Sequence, residues 1–327
     1  MHHPRLYRWL PALTVAVVFL ALLAGRYPSR GFSSPWALWS NPTARLLLLN
    51  LRIPRVAAAL LLGAVLGGAG VVFQMLFANP LVEPGFLGVS QGASFGAALA
   101  ILYLPALEGL IQLSAGVFAL SALLLSWFMA RKLHFGGWII RLLLSGLATA
   151  ALFSSGTGIL KTVADPLSEL PEITFWMLGG LWGATWNEVL PILPVVLISL
   201  SLLYALRWRL NLLSFEDRVA ASLGASPVRE RLLLLSLAAV GVAAVTSVAG
   251  IVGWVGLLIP AVCRRLFSAD ARILFPAALY TGAVFTLICD TIARTVTASE
   301  IPLGILTSLL GAFFFILLLS SGTRRKR

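Results

Sequence analysis

Acidic side chains are scarce in this sequence: 12 Asp and Glu stand against 24 Lys and Arg in 327 residues, with only three His. The histidines are His2, His3 and His134, none of them inside a long apolar run. Gly88-Val-Ser-Gln-Gly92 matches the spacing of a nucleophile elbow, but that motif needs a preceding strand and a histidine base, and neither is available. Its small residues serve better as a place where helices approach closely. No H-E-x-x-H occurs, which excludes a zinc protease of that type. The two cysteines, Cys263 and Cys289, have no metal-ligand or C-x-x-C spacing and read as packing residues; no metal site is expected. A phosphate-binding loop is also missing. Lys161-Thr162 comes nearest, but Leu160 stands where glycine is required. Active transport by this chain would therefore draw on an ion gradient or on another subunit. No long polar stretch divides the chain, so residues 1–327 read as a single transmembrane domain.

Apolar residues, by contrast, make up 59% of the chain and charged ones only 11%, where soluble proteins average about 45–50% and about 25%. A water-soluble fold of this length could not cover so much apolar surface, so lipid is its solvent. The net charge of +12 is scattered between apolar runs. The membrane-orientation rule produces that pattern, and it argues against nucleic acid. Runs long enough to cross a bilayer lie near 9–25, 56–77, 89–105, 107–130, 139–161, 189–206, 231–250, 254–267, 273–293 and 302–320. The fold class is thus all-α: a polytopic membrane protein of about ten helices. The first run follows Arg5 and Arg8, as in a signal peptide, but Leu23-Ala24-Gly25-Arg26 offers no clear cleavage site. A retained helix is expected.

With the N-terminus inside, 17 of the 24 basic residues fall on the cytoplasmic side, including Arg5, Arg8 and Arg324 to Arg327. Both termini are then cytoplasmic. Of the seven exceptions, Arg26, Arg30, Arg45, Arg52 and Arg55 share one loop, and Lys161 and Arg294 complete the set. The longest polar cytoplasmic segment is 207–231. Within it Ser214 is placed to cap a short helix, with Glu216 and Asp217 in its first turn and Gly224 at its end. This segment is either a solvated loop or a docking element for a cytoplasmic partner. Most carboxylates, Glu108 among them, sit in loops or at helix ends. Asp290 alone lies deep in an apolar run, with Arg294 four residues on as a possible ion-pair partner. A single such site is too little for a proton relay, which counts against a gradient-driven carrier. Two stripes of small and polar residues, Ser145, Thr149 and Gly156, then Gly304, Thr307, Ser308 and Gly311, either line a path or pack helices closely.

A set of motifs in fixed order carries a resemblance. They are Arg52-Ile-Pro-Arg55, Asn79-Pro-Leu81 with Glu83-Pro-Gly85 and Leu87-Gly-Val-Ser90, and Phe175-Trp-Met-Leu-Gly-Gly180. Leu210-Asn-Leu-Leu-Ser214, Gly253-Trp-Val-Gly-Leu-Leu-Ile-Pro260 and Glu300-Ile-Pro-Leu-Gly-Ile-Leu-Thr307 follow. From Arg52 to near the C-terminus the chain resembles the membrane permease subunit of binding-protein-dependent ABC importers, in the branch for iron–siderophore, haem and cobalamin uptake. The resemblance implies ten transmembrane helices, a homodimer of permeases, two cytoplasmic ATPase subunits that hold ATP and Mg, and one external solute-binding protein. It implies that Arg52, Arg55 and Arg294 dock that binding protein. It makes the segment with Leu212, Ser214, Glu216, Asp217, Arg218, Ala220, Ser222, Leu223 and Gly224 the coupling helix for the ATPase. It places Ser145, Thr149, Gly304, Thr307, Ser308 and Gly311 along a path between two permeases. Trp138, Ile139 and Ile140 replace the small hydroxyl residues usual before the fifth helix in such permeases, and a bulkier apolar inner gate at Ile139 and Ile140 is the expectation. Ala261 and Ala271 stand where such permeases usually carry histidine.

Overall fold

A computed structural model describes residues 6–25, 27, 31–105, 109–297 and 299–323. Arg5, Arg26, Arg30, Glu108, His2, His3 and Arg324 to Arg327, which entered the charge reading, lie outside them. The helices, in chain order, are α1 (Leu10–Leu23), α2 (Pro35–Ser40), α3 (Pro42–Leu47), α4 (Ile53–Leu76) and α5 (Val89–Tyr103). Next come α6 (Leu110–Lys132), α7 (Trp138–Val163), α8 (Glu169–Leu178), α9 (Trp186–Leu213) and α10 (Asp217–Ser222). The last four are α11 (Pro227–Ala249), α12 (Val255–Leu266), α13 (Ala271–Thr295) and α14 (Leu303–Thr323). The only sheet among the described residues is a two-residue hairpin pairing Ala24 with Phe32. Six helical runs, 42–76 and α6, α7, α9, α11 and α13, are long and apolar enough to cross a bilayer. Shorter apolar helices occupy 10–23, 89–103 and 303–317.

Helix α4 is the axis of the bundle, since most of its side chains are buried against neighbouring helices. Its glycines explain how closely those neighbours come. A Cβ at Gly63 would collide with the Gly282 carbonyl of α13, one at Gly67 with the Ala278 carbonyl, and one at Gly70 with the Gly256 carbonyl of α12. Lipid tails are as apolar as leucine, so helices in a membrane gain little by hiding greasy surface from lipid. They gain from close van der Waals contact, which small residues permit. Gly92 and Gly96 of α5 do the same against the Phe118 and Ser114 carbonyls of α6. Packing is therefore the role of the Gly88–Gly92 motif.

Two stretches leave regular helix. Residues 77–88 form a turn and a single 3-10 turn at Pro84–Leu87, ended by Gly88 at φ +80°. Residues 250–254 run irregularly into α12, with Gly250 at φ +64° and Trp254 at φ +70°. Such backbone is tolerated at membrane depth only inside protein, and here it is bonded. Glu83 accepts a hydrogen bond from the Trp254 N–H at 3.3 Å, and the Gly180 N–H donates to the Ala249 carbonyl at 2.8 Å. Gly179 backs onto the Ile251 carbonyl and Gly250 onto the Trp176 carbonyl. That contact accounts for the paired glycines of Phe175–Gly180.

Some details differ from the expected pattern. The 26–55 loop contains α2 and α3, and the helix expected from residue 56 starts at Ile53, with helical backbone continuous from Pro42. A π-helical stretch over Leu48–Arg52 joins α3 to α4, and Pro54 falls in the first turn of α4, where a missing N–H is tolerated. Helix α8 was also unforeseen. Glu169 and Glu172 favour its positive end. Gly63→Val or Gly282→Val is expected to push α4 and α13 apart and cost at least about 1–3 kcal/mol. A lowered thermal midpoint in detergent would show it, with Gly158→Ala, whose Cβ meets nothing within 4 Å, as a neutral control.

Candidate functional site

At the end of the bundle that carries the α1–α4 loop, a cluster of charges lies largely out of solvent. Asp290 of α13 is 1% exposed, and Arg55 of α4 donates to it through Nε at 3.0 and 3.2 Å and through Nη2 at 2.9 Å. Arg55 also reaches Glu300, in the turn before α14, at 2.8 and 3.0 Å. Arg294, 9% exposed, pairs with Asp290 at 3.5 Å and donates to the carbonyls of Ala21 and Ala24. The expected pairing of Asp290 with Arg294 is present, but Arg55 is the closer partner. Arg52 donates to the Leu22 carbonyl at 2.9 Å and to the Tyr27 carbonyl. The three arginines thus tie α1, α4, α13 and the start of α14 together. Arg45, by contrast, is exposed and lies over the Trp39 ring at 5.7 Å.

At the opposite end, α10 is held from behind. Asp217 accepts from the buried Arg231 of α11 at 2.5 Å, and Arg231 also donates to the Leu213 carbonyl at 3.0 Å. Ala220 is the buried residue of α10, while Glu216, Asp217, Arg218, Ser222, Leu223 and Gly224 are exposed. Gly224, at φ +84°, stops the helix as expected. Ser214 does not cap it: its hydroxyl donates back to the Asn211 carbonyl at 2.7 Å, and Glu216 occupies the cap position without a side-chain bond. Leu212 lies half-buried in the last turn of α9. Asn211, noted only as part of a motif, joins α9 to α13. It donates to Asp270 at 2.8 Å and accepts from the Ala271 N–H at 2.9 Å. Hydrogen bonds from the Arg272 guanidinium, reinforced by Asn211, hold the Asp270 carboxyl down at about 2. Asn211 and Arg231 lie within the polar segment 207–231, and nothing in their sequence spacing singles them out from its other polar residues. A cavity of about 520 Å³ separates this segment from the α6–α7 turn, with Trp138 and Ile139 on its wall. Ile140 faces outward.

The two small-residue stripes prove to be packing faces. Ser145 and Thr149 are 1% and 0% exposed, turned into the chain's own bundle. Thr149 meets the Met129 sulfur at 3.8 Å, and Gly156 is packed by the Phe95 ring. On α14, Gly304 abuts the Leu178 and Ile251 carbonyls, Gly311 abuts Trp254, and Thr307 is fully buried. Ser308 is half-buried at the edge. The open face of α7 instead carries Leu144, Leu147, Ala148, Ala151, Leu152 and Ser155, and that of α14 carries Ile305, Leu309, Phe313 and Ile316. Between Arg141 and Lys161 no residue of α7 is charged.

Comparison with known proteins gives one consistent result. The profile of the FecCD transport family matches residues 13–321. A probable iron chelatin transport system permease protein of Helicobacter pylori is 41% identical over 278 residues, covering 84% of this chain and 82% of that one. The molybdate import system permease protein MolB of Haemophilus influenzae is 35% identical over 320 residues, covering 96% and 94%. Among solved structures, a metal-chelate type ABC transporter in an inward-facing conformation superposes with a TM-score of 0.89 at 34% identity, covering 98% of this chain and all of that one.

Removing Asp290 leaves two buried guanidiniums without their shared anion. Asp290→Ala is expected to cost about 3–5 kcal/mol, whereas exposed Arg45→Ala stays within about 0.5 kcal/mol; thermal unfolding in detergent compares them. The depressed Asp270 carboxyl has its own pH signature. Its folded value of about 2 lies below the ordinary 3.8, so its contribution is complete above about pH 4 and is lost as pH falls through about 2. The difference in thermal midpoint between the wild type and Asp270→Asn should shrink over that window.

Proposed function

The chain belongs to the FecCD transport family, the permease subunits of binding-protein-dependent ABC importers, and on that premise we propose that it passes an iron chelate (siderophore-bound iron or haem) or cobalamin from an external binding protein into the cytoplasm. The observation that carries the reading is the match of the family profile across residues 13–321, joined to the close superposition on a metal-chelate transporter. In this reading the chain is no enzyme. Two chains form a homodimer, each with ten membrane helices and both termini cytoplasmic, and two separate ATPase subunits bind ATP and Mg and hydrolyse the nucleotide.

Residues 207–231 are the coupling segment. What supports this is the exposed α10, backed by the Asp217–Arg231 pair, so that a push on it passes directly into α11 and α9. Docking of the binding protein falls to Arg52, Arg55 and Arg294, with exposed Arg45 added. Arg55 would then exchange part of its contact with Glu300 for an acidic side chain of the binding protein. The path runs between the open faces of α7 and α14, with Ser308 at its edge, and the gate lies at Ile139 and Ile140. Cargo alternates between an outward and an inward opening as ATP closes the ATPase pair.

Relatives in the family are named for iron chelatin, haemin, cobalamin and molybdate. A chelate suits the uncharged apolar faces of α7 and α14, which offer little to a small dianion. Molybdate is the second reading, favoured by the likeness to MolB over nearly the whole chain. Proteoliposomes containing the permease, its ATPase and its binding protein decide between them. Uptake of labelled ferric siderophore or cobalamin is expected only with ATP inside, and it should persist when the proton gradient is collapsed. Uptake of molybdate alone would select the second reading, and uptake driven by the gradient without ATP would contradict both. Arg52→Glu with Arg55→Glu is expected to weaken capture of the binding protein by about tenfold or more, most strongly at low salt, where charges are least screened.

A further inference from the structure

The two irregular stretches, 77–88 and 250–254, border a cavity of about 230 Å³ inside the bundle. Leu66 and Leu147 on its wall fix its depth. From Ile53 to Leu66 α4 rises about 20 Å, and from Trp138 to Leu147 α7 rises about 14 Å, at 1.5 Å per residue. These helices start at opposite ends of the bundle, so the cavity sits near the middle of a hydrocarbon core about 30 Å thick.

Oxygen atoms without partners in the chain line it. Thr246 is 4% exposed, and its hydroxyl, the Ser90 hydroxyl and the Gln91 side chain make no hydrogen bond to any described residue. Gln91 Oε1 is fully buried. A Cβ at Gly85 would stand 3.4 Å from Ser90 Oγ and 3.9 Å from Glu83 Oε1, so those two oxygens border one point. Glu83 accepts one bond, through Oε2, from the Trp254 N–H, which is a neutral donor. It forms no ion pair with a described residue, and no Lys, Arg or His lines the cavity.

Buried polar atoms are almost always bonded, and a carboxylate at mid-membrane depth is costly without a countercharge. The Trp254 N–H, at the start of α12, favours the ionised form of Glu83. From the other side α11 ends at Ala249, and Ile251, Val252 and Gly253 line the cavity. The negative end of a helix favours a cation. We propose that this cavity binds one monovalent metal cation, held by the Glu83 carboxylate and the neutral oxygens of Ser90, Gln91 and Thr246. Calcium sites usually gather several carboxylates, whereas one carboxylate among hydroxyl and amide oxygens suits a single charge. Interrupted helices supply alkali-ion sites in other membrane proteins in the same way. Leu147 lies on the exposed face of α7 and gives the ion a way in. Once bound, the ion ties the segment before α5 to the segment before α12. The inference rests on the membrane reading alone and is independent of the cargo.

Binding of radioactive sodium to the full-length chain in detergent tests it, with choline chloride holding the ionic strength constant. One saturable sodium per chain is expected, together with a thermal midpoint that rises with sodium. Glu83→Gln keeps an oxygen for the Trp254 N–H. It should abolish sodium binding yet unfold in choline chloride at no lower temperature than the wild type. Thr246→Val, nearly the same in shape, should weaken sodium binding by about tenfold or more. The proposal is overturned if the wild type binds no saturable sodium, or if Glu83→Gln binds it as the wild type does. It is also overturned if calcium or magnesium binds and sodium does not compete, or if the midpoint follows pH but not sodium.

Discussion

The backbone contact between α4 and α13 is the constraint on which the rest of the molecule depends. Gly63 faces the Gly282 carbonyl and Gly67 the Ala278 carbonyl, so close that no side chain fits between them. In lipid, where burial of apolar surface gives little net driving force, contact of this kind is what holds two helices together. The ion cluster at one end of the pair depends on it, since Arg55 reaches Asp290 only while α4 and α13 lie side by side. Lone charges at such depth are costly, and the pairing makes them tolerable. Glycine contact and ion cluster therefore support each other.

Helix α13 links two otherwise separate regions. At one end Asp270 and the Ala271 N–H are bound by Asn211 from α9, within reach of the segment assigned to ATPase coupling. At the other, Asp290 and Arg294 meet α1, α4 and, through Arg55, the turn that starts α14. A rigid helix bonded at both ends gives a physical route from one face of the membrane to the other, provided that its ends have two arrangements. The packed faces of α7 and α14 fit the same scheme. Their small residues lock them to the bundle, which leaves their apolar faces exposed.

Much of the fold was legible in the sequence, because a bilayer forces long apolar runs and every expected run falls on a helix. The short helices α2, α3 and α8 were not, since six to ten residues in a loop carry little periodicity. The stripe Gly304, Thr307, Ser308 and Gly311 was correctly seen as one face, but spacing alone cannot tell a path from a packing seam. Only the carbonyls of Leu178 and Ile251 behind Gly304 resolve that. Arginines clustered in the loop before α4 pointed to a partner, and the structure adds internal partners for Arg52, Arg55 and Arg294. The missing signal was distance in sequence: 235 residues separate Arg55 from Asp290. Ser214 fits a cap by residue type, yet its hydroxyl turns back to Asn211.

The central claim is that the open face of α14 borders an aqueous path whose exposure is set by nucleotide. Both native cysteines are buried, so a single Leu309→Cys on that face can be read against a quiet background with a membrane-impermeant thiol reagent. In the complex assembled with its ATPase, the account expects labelling from one side of the membrane without nucleotide, and from the other side or not at all once ATP is bound. Labelling by lipid-soluble reagents only, unchanged by ATP, would put Leu309 in the bilayer and contradict the account.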